Sequence, residues 1–133
     1  MIPTHIEHIG IAVKNLETGI QLFEKLLGVI CYSIEEVKDQ FVRTAFFLVG
    51  QTKIELLEST DIDGPIGSFI EKHGEGIHHI AFSFEKADKA LSDAKENGFR
   101  LIDRVPRKGA ESLNIGFLNP RSTNGVLIEF CSK

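Results

Sequence analysis

The sequence contains an internal repeat that strongly limits the folds open to the chain. Residues 6–13 can be laid over residues 77–84 so that His8 falls on His79 and two isoleucines of each segment coincide. In both segments the histidine alternates with small residues, and the positions between them are bulky and apolar. This period-two pattern is typical of a β-strand with one core-facing side. We expect the bulky faces to pack in a core and the small faces to leave room above the sheet.

A helix is predicted after each of these strands. Asn15 is a suitable N-cap for the first helix, and Gly28 is placed to end it. Gly98 ends the second helix in the same way. The apolar stripe of the first helix consists of Leu16, Ile20, Phe23 and Leu27, and that of the second consists of Ala87, Leu91 and Ala94.

The repeat resumes near the end of each half, where residues 53–56 resemble residues 127–130. We therefore read residues 5–58 as module one, 76–131 as module two, and 59–75 as a linker. Pro65 suits the first turn of a short helix within that linker. The predicted fold is a single α+β domain over residues 1–133. We expect two tandem βαβββ modules to form a curved mixed sheet around a metal-binding cleft.

Each half contributes one histidine on its first strand and one glutamate on its last strand. These four residues are His8, Glu55, His79 and Glu129. A single histidine or glutamate on a strand is usually structural or solvated, but recurrence at matching positions favours a shared role. Glu55 and Glu129 also lie among apolar neighbours, where a carboxylate needs a partner. Two imidazoles and two carboxylates bind a divalent first-row ion well and leave positions open for catalysis.

Composition narrows the function further. A length of 133 residues suits one domain, and a net charge of −4 disfavours non-specific nucleic-acid binding. The longest apolar runs are too short to span a membrane, and no signal peptide is recognisable. Only Cys31 and Cys131 are present, so no disulfide framework is implied and a cytoplasmic location is the expectation.

The sequence resembles the vicinal oxygen chelate superfamily and, within it, the methylmalonyl-CoA epimerases. The ligand pattern is shared across the superfamily, whereas the part from residue 74 onward is more specific to the epimerases. The matching segments are residues 7–13, 52–58, 74–82, 106–110, 117–122 and 125–129.

The resemblance implies an enzyme that epimerises methylmalonyl-CoA at C2 through a metal-stabilised enolate. It assigns the four metal-ligand positions to His8, Glu55, His79 and Glu129, with one divalent ion per chain. Cobalt, manganese, zinc and nickel all suit these ligands, so the sequence does not select the metal. The resemblance also implies a homodimer acting on a coenzyme A thioester. It leaves open whether a related 2-substituted malonyl or acyl thioester is the substrate.

Two catalytic bases are expected, one on each face of C2. The resemblance assigns the first to Glu129. Some relatives place a glutamate where this chain has Thr44, and threonine is no base at neutral pH. The alternatives are Glu36, Asp39 or a water on the ion. Four cations lie close together in the sequence: Arg104, Arg107, Lys108 and Arg121. Of these, Arg107, Lys108 and Arg121 are the candidates for binding the phosphates of coenzyme A. At Asn119, the family usually has histidine.

Three other functions fit parts of the pattern. A glyoxalase I-type isomerase (lactoylglutathione lyase) uses the same four ligands, but residues 106–122 favour the epimerase. A non-heme iron dioxygenase needs only two histidines and one carboxylate, so a fourth ligand counts against it. A metal-free small-molecule binding protein of the same fold has no need for all four ligands.

Overall fold

The structure, a computed structural model, describes residues 1–133. The elements in chain order are β1 (His5–Ala12), α1 (Leu16–Leu27), β2 (Ser33–Val37), β3 (Val42–Val49), β4 (Thr52–Ser59), α2 (Pro65–His73), β5 (Gly76–Ser83), α3 (Ala87–Glu96), β6 (Arg107–Lys108), β7 (Asn114–Leu118) and β8 (Ile128–Ser132). The predicted order, βαβββ twice with a linker helix between, is confirmed. None of the three helices has the length and hydrophobicity needed to span a bilayer.

The strands form a mixed sheet with the hydrogen-bonded order β2-β3-β4-β1-β5-β8-β7-β6. In each module the last three strands include antiparallel pairs, β2 with β3 and β3 with β4, then β6 with β7 and β7 with β8. Strand β8 also pairs in parallel with β5. The α+β class and the mixed sheet predicted from the repeat are therefore confirmed.

The chain divides into two compact units. One unit contains residues 1–8 and 79–133, and the other contains residues 9–78. The boundaries fall inside β1 and β5, immediately after His8 and immediately before His79. Both histidines consequently belong to the unit that also contains β8.

In the unit of residues 9–78, α1 lies over the sheet as its sequence predicts. The Asn15 side chain accepts a hydrogen bond from the Thr18 N–H (2.9 Å), and Gly28 ends the helix with a positive φ of 68°. Leu16 is buried in a core with Val13, Ala45, Phe47 and Leu56. The stripe ends earlier than predicted, because Leu27 in the last turn is 39% exposed.

In the other unit, α3 packs on β7 and β8. Leu91 and Ala94 are buried against Leu118, with Phe130 alongside. Gly116 leaves room for this contact, because an added Cβ would lie 2.5 Å from a Leu91 methyl carbon and Leu91 would have to shift. Helix α3 ends at Glu96, and Gly98 follows it with a φ of 91°.

The faces of β1 and β5 differ from expectation in one respect. The face with histidine and small residues is the more buried one on both strands. Ala81 on that face packs with Ile115 and Cys131, whereas Ile80 on the bulky face is only half-buried. Small side chains on a sheet are readily covered by larger ones on neighbouring strands, which explains the reversal.

Candidate metal centre

Three of the four predicted ligands meet in the unit that contains residues 1–8 and 79–133. The Nε2 atoms of His8 and His79 are 3.0 Å apart. Glu129 lies 3.6 Å from His8 Nε2 through Oε2 and 3.3 Å from His79 Nε2 through Oε1. All three side chains are buried, and their ligand atoms form a group that can hold a metal ion.

The spacing of these atoms fits a first-row divalent ion. Ligand atoms about 2.1 Å from one ion lie about 3.0 Å apart at a right angle and about 3.4 Å apart in a tetrahedron. The 3.0 Å separation of the two imidazole nitrogens and the 3.3 Å separation of His79 from Glu129 fall within this range, and the 3.6 Å separation of His8 from Glu129 lies just above it. A neutral imidazole pair facing one carboxylate is also the donor chemistry that such ions prefer.

Strand pairing explains why two of these predicted ligands share a face. Ala81 of β5 lies opposite Glu129 of β8, and His79 precedes Ala81 by two residues. Residues two apart in a strand project to the same face, so His79 and Glu129 face the same side of the sheet.

Glu55, the fourth predicted ligand, lies on β4 in the unit of residues 9–78. It is only 4% exposed, so its carboxylate is taken out of water as a ligand's would be. Phe46 lies directly opposite Glu55, and the two side chains therefore share a face. The predicted role of Glu55 as a ligand stays a prediction.

The same register locates the acidic residues near Thr44. Thr44 is buried and lies opposite Glu35 on the edge strand β2. Because Thr44 is two residues from Phe46, Glu35 shares the face of Glu55. Glu36 lies opposite Arg43 and projects to the other face, and Asp39 is exposed in a 3₁₀ turn. Glu36 and Asp39 were the candidates predicted from the sequence, and Glu35 was not among them.

Glu7, which was not predicted from the sequence as part of the site, contacts His8. Its Oε1 lies 2.8 Å from His8 Nδ1, and both residues are buried. Alternation along a strand predicts opposite faces for two adjacent side chains, so the pattern gives no indication of this contact.

Among the proposed coenzyme A contacts, Arg107 lies on the same sheet face as the candidate metal centre. The Phe117 ring lies edge-on to His79, with 5.6 Å between ring centroids. The Arg107 guanidinium carbon lies 5.8 Å from the Phe117 centroid, and Arg107 Nε is 3.2 Å from an Asp103 oxygen. Asp103 also accepts the Phe117 N–H at 2.9 Å. One aromatic ring thus separates His79, a predicted ligand, from a cation.

The other two cations are arranged differently. Lys108 follows Arg107 in β6, and its Nζ donates to the Ser112 carbonyl at 3.2 Å. Arg121 is exposed in the 3₁₀ turn Pro120–Ser122. The Asn119 side chain accepts the Arg121 N–H at 2.9 Å and so caps that turn. Asn119 therefore keeps a hydrogen-bonding role although the family usually has histidine there.

His78 lies beside His79 in sequence but in different surroundings. Its ring contacts Phe69 edge-on at 4.9 Å. Burial lowers the pKa of His78 to about 4, so the ring is neutral near pH 7.

Comparison with known proteins gives consistent matches along the chain. The family model of the Glyoxalase/Bleomycin resistance protein/Dioxygenase superfamily matches residues 7–117. The uncharacterized protein YqjC of Bacillus subtilis is 42% identical over 126 residues, which cover 95% of this chain and 90% of that protein. The ethylmalonyl-CoA/methylmalonyl-CoA epimerase of Cereibacter sphaeroides is 34% identical over 126 residues, covering 93% and 94%.

Comparison with solved structures also matches the chain to an epimerase. A methylmalonyl-CoA epimerase in complex with methylmalonyl-CoA and NH4+ superposes with a TM-score of 0.96 at 33% sequence identity. The match covers 99% of this chain and 96% of that chain.

Proposed function

We propose, given that this chain belongs to the Glyoxalase/Bleomycin resistance protein/Dioxygenase superfamily, that it is a metal-dependent epimerase of methylmalonyl-CoA. The observation that carries the proposal is the buried group of His8, His79 and Glu129 in a chain similar to epimerases along almost its whole length. His8, His79, Glu129 and Glu55 would hold one divalent ion. The burial of Glu55 and its match to Glu129 in the repeat support it as the fourth ligand.

The reaction requires removal of the hydrogen at C2, which lies between a thioester carbonyl and a carboxylate. A divalent ion supplies Lewis-acid chemistry that stabilises negative charge on the thioester oxygen. Glu129 takes the proton as the C2–H bond breaks, and the electron pair moves into the thioester to give its enolate. Delivery of a proton to the opposite face of C2 completes the epimerisation.

Glu35 is our candidate for the second proton-transfer group. It shares the sheet face of Glu55 and lies opposite Thr44, where some relatives have glutamate. A carboxylate is a competent acid or base for this step, whereas the Thr44 hydroxyl is not.

Substrate anchoring would fall to the cations and to the dimer that the resemblance implies. Arg107, Lys108 and Arg121 would bind the phosphates of coenzyme A through charge-assisted hydrogen bonds. Arg107 has the firmest support, because Phe117 and Asp103 hold its guanidinium on the face of the metal centre.

The rival functions are less well supported. A dioxygenase would use the two histidines and one carboxylate, but it would leave the buried Glu55 without a role. A glyoxalase-type isomerase would use the same ligands, yet relatives named as epimerases cover nearly the whole chain. The name of the Cereibacter sphaeroides relative also includes ethylmalonyl-CoA, so that thioester is the second substrate to test.

The test is to replace the proposed base and to measure both the bound metal and the epimerisation of methylmalonyl-CoA. Glu129→Gln keeps an oxygen donor but cannot accept the C2 proton. We expect the variant to keep a bound ion and to lose equilibration of the two methylmalonyl-CoA epimers. Undiminished equilibration would exclude Glu129 as the base. Wild-type turnover of the glutathione hemithioacetal of methylglyoxal, without action on methylmalonyl-CoA, would favour the isomerase instead.

A further inference from the structure

The contact between Glu7 and His8 is unusual for neighbouring residues in a strand. Adjacent side chains normally project to opposite faces, yet the Glu7 carboxylate lies 2.8 Å from His8 Nδ1. Both side chains are at least nine-tenths buried. A buried carboxylate at this distance forms a strong, directional hydrogen bond with an imidazole N–H.

This hydrogen bond determines which nitrogen of His8 carries the proton. With Glu7 ionised, its carboxylate only accepts hydrogen bonds, and Nδ1 is then the donor. In the neutral imidazole the lone pair is then on Nε2. That atom points at His79 Nε2 (3.0 Å) and at the Glu129 carboxylate (3.6 Å), which is where an ion would lie.

We propose that Glu7 is a positioning residue for the metal, one that holds His8 as the Nδ1–H tautomer with Nε2 aimed at the ion. This inference rests on the proposed metal site but not on the identity of the substrate. A carboxylate behind a ligand histidine fixes the ring and strengthens it as a donor, and loss of such a partner weakens metal binding about 10–100-fold.

The experiment measures zinc affinity by competition with a chelating dye, using Glu7→Gln and Glu7→Ala. Glutamine keeps the size of the side chain but can present its NH2 group to Nδ1, which favours the wrong tautomer. We expect the zinc Kd to rise about 10–100-fold in both variants. An unchanged Kd would overturn the proposal.

Cobalt separates positioning from direct ligation. A positioning role predicts that saturated Glu7→Gln shows the visible bands of wild-type protein, because the ligands are the same. Shifted band positions and intensities would mean that Glu7 itself coordinates the ion, which would contradict the proposal.

A matched control removes a carboxylate elsewhere. Glu58 has a mostly buried side chain, accepts the Leu16 N–H at 2.8 Å and lies 3.3 Å from Arg43. Glu58→Gln should leave the zinc Kd unchanged. If the Glu7 variants do not fold, ¹⁵N NMR of zinc-loaded wild-type protein tests the same point. It should show His8 bound through Nε2 with a proton on Nδ1, and binding through Nδ1 would overturn the proposal.

None of these readouts depends on turnover. A protein that binds zinc through His8 but ignores methylmalonyl-CoA would refute the proposed function and leave the inference on Glu7 intact.

Discussion

His78 and His79 show how one step along a strand changes what a residue can do. His79 lies 3.3 Å from Glu129 in a group of metal-binding geometry, whereas His78 packs on Phe69. His79→Ala should lower zinc affinity by more than about 100-fold, since loss of a ligand exceeds loss of its outer partner. The measurement is bound metal per chain after gel filtration.

His78→Ala is the control because it removes the same group from the neighbouring position. It should lower thermal stability while leaving the metal content unchanged. Equal metal loss in both variants would mean that the His79 effect is unfolding and not ligand removal.

Arg107 gives a prediction about substrate binding. One charge-assisted hydrogen bond is worth about 1.5–3 kcal/mol, so Arg107→Ala should raise KM for methylmalonyl-CoA about 10-fold or more. Metal affinity should not change, because Phe117 lies between the cation and His79. The steady-state comparison uses Lys95→Ala, which removes an exposed positive charge from α3. An equal rise in KM for both variants would reduce the role of Arg107 to general electrostatics.

The residues of the centre were only partly predictable. His8, His79 and Glu129 were predicted as ligands because they recur at matching positions of the repeat, and the structure brings their side chains together. Glu7 and Phe117 were missed for a physical reason. Glu7 contacts the adjacent residue His8, although alternation along a strand predicts opposite faces for the two side chains. Phe117 has the sequence pattern of an ordinary core residue, and only the structure shows that its ring contacts His79.

At the level of the elements, the register of β2 determines which of its acidic residues lies on the same sheet face as Glu55. Glu35 lies opposite Thr44 and Glu36 opposite Arg43, so a one-residue difference reverses the face. With only one base left, the proton on one face of C2 can still exchange, but inversion stops. Glu35→Gln should therefore retain solvent deuterium exchange on one epimer and lose epimerisation.

Glu36→Gln is the matched control on the same strand, and both activities should persist in it. The outcome is read by proton NMR for exchange and by chiral analysis of the thioester for inversion. Normal epimerisation by Glu35→Gln would remove Glu35 from the mechanism.

The elements themselves were predicted with varying success. Helix α1 begins and ends as expected because Asn15 and Gly28 act through local hydrogen bonds and backbone conformation, which sequence specifies directly. Strand β6 has only two residues, Arg107 and Lys108, and no periodic pattern is readable over that length. The parallel pairing of β5 with β8 joins segments far apart in sequence, so the repeat alone did not reveal it.

For the molecule as a whole, the repeat predicted the order of the helices and strands, and the resemblance to the family suggested the epimerase chemistry. Two βαβββ modules in one chain explain why the predicted ligands recur as one histidine and one glutamate per half. The repeat could not show which residues contact the predicted ligands, because Glu7 contacts His8 in the first half and Phe117 contacts His79 in the second.

Metal-dependent proton removal at C2 is the central step of the proposed function, and deuterium exchange tests it directly. Methylmalonyl-CoA is incubated in heavy water with metal-loaded or chelator-stripped protein, and the C2 proton is followed by NMR. We predict rapid exchange with loss of stereochemistry for the loaded protein, and near-background exchange for the stripped protein that recovers when the ion is restored. No exchange with either preparation, or equal exchange with both, would contradict the account.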